Sequence, residues 1–200
     1  MGQSVPRTED PRLLRGGGRY VDDIRLPNEC HAYMLRSPHA HARITNIECE
    51  AAVNMPGIVE IFTGKDWEKD GHGQHPPGHT RTRRDGKPVY CPTRPAIANE
   101  TVMVTGDIVA VIVAESVNDA KDAAELIVIE YDPLPILVDG PKARQNDSPI
   151  LYEDCPDNES YFYQAGDKEA VETALNTAHH VTRLQTQINR ITANTMEPRA

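Results

Sequence analysis

Residues 106–135, GDIVAVIVAESVNDAKDAAELIVIEYDPLP, decide the fold class. Gly106-Asp107 is a turn signal, and residues 108–113 form an apolar run rich in branched side chains, as in a strand buried on both faces. The period then changes. Ser116 is placed to cap a helix with Asp119 three residues on, and Val117, Ala120, Ala124 and Ile127 recur at helical spacing. A second apolar run, residues 126–129, follows, and Pro133 and Pro135 end regular pairing because proline supplies no backbone donor. The stretch predicts strand, crossover helix and strand. The two strands are parallel neighbours if they share a sheet, and a mixed sheet with other strands between them satisfies the pattern equally.

Upstream, residues 31–36 (HAYMLR) and 42–47 (ARITNI) are expected strands on either side of Ser37-Pro38-His39-Ala40-His41. Residues 51–53 predict a helical turn ended by Pro56-Gly57, and residues 58–62 (IVEIF) alternate as a half-buried strand does. Together these give an α+β domain of mixed α/β type over residues 20–138, with the helix after Ser116 packed across the sheet. Residues 1–19 read as an extended arm. Residues 64–95 read as a long loop in which Arg81, Arg83, Arg84, Lys87 and Arg94 face only Asp85, and residues 139–165 read as a linker that begins GPKARQNDSP. Residues 1–19 and 66–94 are expected to make few contacts within the chain and to be held by other parts of an assembly, because their composition buries too little apolar surface to offset ordering entropy. From residue 166 the chain turns regular again. Asp167 is placed to cap a helix with Ala170, Val171, Ala174 and Leu175 on one stripe, and residues 179–191 (HHVTRLQTQINRI) alternate as a strand before the chain stops inside what reads as an incomplete domain.

With 21 basic against 30 acidic residues the formal charge is -9, which disfavours nucleic acid as a partner. A mean hydropathy of -0.54 and the lack of any apolar run near the roughly twenty residues that cross a bilayer point to a soluble, cytoplasmic protein with no membrane partner. Cys30, Cys49, Cys91 and Cys155 are scattered without a CxxC pair, so they are expected to be reduced and structural. Gly16-Gly17-Gly18 follows no strand and lacks phosphate-loop spacing, so it reads as a turn.

His72, His75 and His79 crowd one loop at a spacing that a zinc or nickel site tolerates. No cysteine or carboxylate completes the set, so the loop is expected to hold no structural metal. His39 and His41 read as turn residues, and Asp22, Asp23, Glu197, His179 and His180 suit acid/base chemistry without a visible partner.

The stretch RTEDPRLLRGGGRYVDDIRLPNECHAYMLRSPHAHARI resembles the opening of the molybdopterin-binding large subunit of the xanthine dehydrogenase, aldehyde oxidase and aerobic carbon monoxide dehydrogenase family. MPGIVEIFTGKD, VTGDIVAVIVAESVNDAKDAAELIVIEYDPLP and INRITANTMEPRA continue the likeness in order from Arg7 to Ala200. The resemblance implies an α/β-hammerhead domain followed by the first helix and strand of the cofactor-binding part, residues 166–200. For the full-length protein it implies molybdenum on a molybdopterin, in the cytosine dinucleotide form, with iron-sulfur and flavin subunits and a second large subunit as partners. The family's GGGFG segment, its cofactor-contacting glutamine and its late catalytic glutamate have no match here. Glu197 and Arg199 are the nearest matching positions and are read as structural, so no catalytic, cofactor-binding or metal residue is assigned and the isolated chain is expected to be inactive. The alternative is a stand-alone interaction or scaffold module without enzymatic activity.

Overall fold

The computed structural model describes residues 2–73, 80–92, 94–186, 188 and 191. In chain order the elements are α1 (Asp10–Leu13), β1 (His31–Arg36), β2 (Ala42–Glu48), α2 (Glu50–Val53), β3 (Ile58–Thr63), α3 (Gly64–Lys69), β4 (Thr101–Val102), β5 (Ile108–Ala114), α4 (Val117–Leu126), β6 (Val128–Pro133) and α5 (Lys168–Thr177). They divide into two compact units, one spanning Cys30–Asp167 and the other grouping the described residues of 1–29 with those from Lys168 onward.

In the larger unit the strand–helix–strand pattern forms where expected. Ser116 is extended, its hydroxyl accepts from the Asp119 amide at 3.1 Å and donates to the Asp119 carboxylate at 2.6 Å, and α4 follows directly. Such a cap is worth about 1 kcal/mol. Ala120, Ala123 and Ala124 turn inward from α4 onto Ala110, Ile112 and Ala114 of β5 and Ile61 of β3. The small alanines let the helix lie close to the sheet, and full burial of Ile112 contributes about 1.5–3 kcal/mol.

The two strands around α4 are not in one sheet. β5 is the centre of a three-stranded sheet, β1-β5-β3, whereas β6 is an edge of a second, β4-β2-β6, and every pairing is antiparallel. Both edges of β5 are occupied by β1 and β3, so β6 has nothing to pair with there and extends β2 instead. A second apolar cluster, Ala42, Ala98, Val102 and Val109, packs residues from both sheets together.

The expected loose segments are tied down over part of their length. Residues 81–89 form a tight hairpin about Asp85-Gly86, with Gly86 at φ +80° and the Arg83 amide bonded to the Lys87 carbonyl at 2.8 Å. The supposed linker folds onto it: the Tyr90 amide donates to the Ser160 carbonyl at 2.8 Å and the Phe162 amide to the Thr82 carbonyl at 2.9 Å. The physical reason is charge pairing between segments far apart in sequence. Arg83 meets Asp157 at 2.5 Å, Arg84 and Arg144 meet Glu159 at 2.8 and 3.2 Å, and the Arg84 guanidinium lies over the Phe162 ring.

In the smaller unit, Arg12 of α1 pairs with Glu9 at 2.8 Å and donates to the Gly17 carbonyl, so the triple glycine is a local turn. The helix expected after Asp167 forms as α5, with Val171 and Leu175 exposed. The strand expected over residues 179–191 is not formed in its described part; its apolar residues, Val181, Leu184, Ile188 and Ile191, recur three or four apart and give no apolar face to a strand.

Candidate functional site

Where the two sheets meet, beside the second apolar cluster, the larger unit opens into a cleft of about 520 Å³. Its walls come from the start of β2, the end of α3, the segment leading into β4, and residues 134–135 and 150–153. Arg43 and Arg94 supply positive charge, and Glu68, Glu100, Asp107 and Glu153 supply negative charge. Arg94 is already committed to Asp107 at 2.5 Å, and the other Asp107 oxygen accepts from the Met103 and Val104 amides at 2.7 and 3.1 Å, which fixes the turn before β5. Glu68 accepts from Asn99 at 2.8 Å. The Glu100 and Glu153 carboxylates have no partner among the described residues. Tyr152 forms part of the wall, its ring tilted against that of Tyr90 at 5.6 Å between centroids; burial pushes its phenol up, and nearby Arg94 offsets part of that rise.

His41 is the best buried polar side chain of the cleft, 9% exposed. Its Nδ1 lies 2.7 Å from the Pro135 carbonyl oxygen. A carbonyl only accepts, so Nδ1 carries a proton and donates it, while Nε2 has no protein partner among the described residues.

The second cluster is the arginine clasp. Glu159, nearly buried, accepts from the Arg84 amide at 3.1 Å and from its guanidinium at 2.8 Å. Burial raises its carboxyl, but the two Arg84 bonds and Arg144 outweigh that and hold it below the usual range. Cys155 is buried beside it, and burial pushes its thiol up. Tyr90 donates to Asp154 at 2.5 Å, and its phenol is raised first by burial and then by that bond. These groups hold two segments together.

The residues singled out from sequence scatter. His39 packs at a tilt against Tyr131, 4.7 Å between centroids, His72 likewise against Trp67 at 4.6 Å, Asp23 caps the turn at Tyr20, and His180 meets Thr182 at 3.1 Å. His75, His79, Glu197 and Arg199 lie outside the described residues. Among the described residues no group of three His, Cys, Asp or Glu is placed to hold a metal ion, all four cysteines are unpaired, and no helix is long and apolar enough to cross a membrane. Sequence reasoning singled out His41 and Arg94 but missed the cleft, because its walls come from stretches far apart in the chain.

Residues 15–135 match the family described as "Aldehyde oxidase and xanthine dehydrogenase, a/b hammerhead domain". The chain is 35% identical over 199 residues to the nicotine 6-hydroxylase large subunit of Paenarthrobacter nicotinovorans, covering 100% of this chain and 23% of that protein. It is 32% identical over 217 residues to the carbon monoxide dehydrogenase large chain of Afipia carboxidovorans, covering 98% and 24%. Among solved structures, a Cu,Mo-CO dehydrogenase in its carbon monoxide reduced state superposes with a TM-score of 0.67 at 33% identity, covering 90% of this chain and 23% of that one. The chain thus spans about a quarter of the length of the curated relatives it matches. With its two antiparallel sheets bridged by α4, the chain belongs to the aldehyde oxidase and xanthine dehydrogenase family and carries that family's a/b hammerhead domain.

Proposed function

We propose that this chain is the N-terminal portion of the large subunit of a molybdenum hydroxylase, an enzyme that uses water to hydroxylate or oxidise its substrate at a molybdopterin centre. In this reading the hammerhead domain is scaffold, residues 166–200 begin the cofactor-binding part, and the cofactor, in its cytosine dinucleotide form, is held by other stretches of a longer polypeptide. Electrons leave through iron-sulfur and flavin subunits, a second large subunit completes the complex, and the enzyme is cytoplasmic. The observation that carries the proposal is the 35% identity along 199 residues to one large subunit, joined to the structural likeness to another enzyme of the family.

The described residues do not fit the molybdopterin group. A phosphate-bearing cofactor calls for convergent cations and free backbone amides. The cleft instead sets four carboxylates against two guanidinium groups, one already paired, and a Cβ on Gly17 would lie 3.2 Å from the Arg12 carbonyl oxygen and one on Gly18 2.9 Å from the Leu13 side chain, so Gly17 and Gly18 pack against their own helix. No chemical step is therefore assigned to these residues. Reading the gene downstream of the Ala200 codon tests the proposal. A continuing frame with a glycine-rich cofactor segment supports it, and a stop codon with stable monomeric folding of the product turns the reading to a stand-alone interaction module.

A further inference from the structure

We propose that the surface patch formed by Arg81, Tyr161 and Tyr163 is a docking site for a short acidic segment of a partner polypeptide, with Arg81 as the receptor for one of its carboxylates. Two arginine sites are built on the same stretch, residues 161–163, and they differ in one respect. The Arg84 guanidinium lies over the Phe162 ring, 3.7 Å from its centroid, and Glu159 closes that site by accepting from Arg84 Nε at 2.8 Å. The Arg81 guanidinium lies over the adjacent Tyr163 ring at 4.6 Å and over Tyr161 at 5.7 Å. No carboxylate meets it among the described residues. The first site shows what completes an arginine held on an aromatic ring in this fold, and the second lacks that component.

The exposure of the rings is the second observation. Tyr163 is 66% exposed and Tyr161 45%, whereas Phe162 between them is half-buried under Arg84. Tyrosine and arginine dominate the binding energy of protein interfaces, because they bring a large contact area and directional donors together. A guanidinium whose planar face rests on a ring keeps its in-plane N–H groups, and a carboxylate takes two of them at once. Guanidinium is a donor only, so the occupant has to accept.

The patch is also held in place without a partner. The Phe162 amide donates to the Thr82 carbonyl at 2.9 Å, the Val89 amide donates to the Arg81 carbonyl at 2.7 Å, and the Ser160 hydroxyl donates to the Tyr90 carbonyl at 2.7 Å. The arginine clasp ties the same two segments through Arg83–Asp157 and Arg84–Glu159. A surface ordered in advance loses less entropy on association. Charge then narrows the occupant. The formal charge of -9 repels a wholly acidic protein, so the fit is to a local acidic segment presented to Arg81. The inference uses no residue of the cleft and does not rest on the proposed function.

Fluorescence anisotropy on the 200-residue chain at low ionic strength tests it, with the fluorescein-labelled peptide Gly-Glu-Glu-Leu-Glu-Glu-amide as probe. Saturable binding at one per chain is expected. Arg81→Lys keeps the charge and removes the planar fork, and it should weaken binding roughly tenfold, the effect of losing one hydrogen bond between charged groups. Tyr163→Leu should weaken it roughly threefold through the lost ring. Lys121→Gln on α4, which removes a positive charge elsewhere, should leave it unchanged, and circular dichroism of each variant establishes that the fold is intact. Absence of saturation up to roughly 1 mM overturns the proposal, as does binding by Arg81→Lys equal to wild type, which is the result of unspecific charge attraction. Stronger displacement of the probe by inorganic triphosphate than by the unlabelled peptide, at matched ionic strength, also overturns it and assigns Arg81 to a phosphate.

Discussion

Replacing Gly64 by alanine probes the closest backbone approach in the larger unit. Gly64 opens α3 directly after β3, and residues 98–99 cross over it, held also by the Asn99–Glu68 hydrogen bond of 2.8 Å. A Cβ at this position would lie 2.5 Å from Asn99 Cα and 2.6 Å from the Ala98 carbonyl oxygen, where ordinary contacts begin at 3.4 Å. The obstructing atoms are backbone and have no rotamer to change, so the crossing segment itself has to move. Overpacking of this kind costs about 1–3 kcal/mol. Alanine recovers up to about 1 kcal/mol of helix propensity, which reduces the loss without reversing it. The net expectation is a destabilisation of about 1–2 kcal/mol, which for a chain of this size is a melting temperature lower by roughly 2–8 °C. Gly140 is the matched control, because a Cβ there meets nothing within 4 Å. Thermal and urea unfolding of both variants compare the two sites. Equal stability of Gly64→Ala and Gly140→Ala would refute the reasoning.

Two further predictions concern charged groups. Asp66 accepts from the Thr63 amide at 2.8 Å and the Thr63 hydroxyl at 2.7 Å, and chiefly through those bonds its carboxyl lies below the usual range. A depressed carboxyl stabilises the fold above its unfolded value near about pH 4 and loses that contribution as pH falls through the folded value. Asp66→Ala should therefore cost about 1 kcal/mol at neutral pH, with the gap to wild type closing in acid, as urea titrations at the two pH values will measure. Glu159→Gln in the arginine clasp should release the 81–89 hairpin, so that trypsin cleaves there roughly tenfold faster than in wild type; an unchanged rate means that the clasp does not hold the hairpin.

Local signals in the sequence carried the elements well, and pairing between distant elements poorly. Ser116, Asp119 and the alanine stripe specified α4 and its buried face because capping and periodicity are properties of a few adjacent residues. The same logic would have found α3, since Thr63 and Asp66 form a capping box that the reading of residues 64–95 as loop passed over, and Asp85-Gly86 marked a hairpin. That β5 and β6 belong to different sheets was not readable from their spacing, because it depends on β1 and β3 occupying both edges of β5. The clasp joins Arg83 and Arg84 to Asp157 and Glu159 across more than seventy residues, a separation that no local pattern encodes. The strand expected over residues 179–191 rested on an alternation the residues do not hold, since Val181, Leu184, Ile188 and Ile191 fall three or four apart rather than two, and the described residues of that stretch form no strand. The cleft was illegible for the same reason as the clasp: His41 was singled out only as a turn residue, and nothing local ties it to Glu100 or Glu153, which line the same cleft.

The central claim is that these 200 residues are scaffold from a molybdenum hydroxylase large subunit and hold no complete catalytic centre. Metal and pterin analysis of the purified chain, run with dye-linked assays using aldehydes, purines and carbon monoxide, tests it most directly. The account predicts neither stoichiometric molybdenum and pterin nor turnover, whereas a stoichiometric cofactor with turnover of any of these substrates would contradict it.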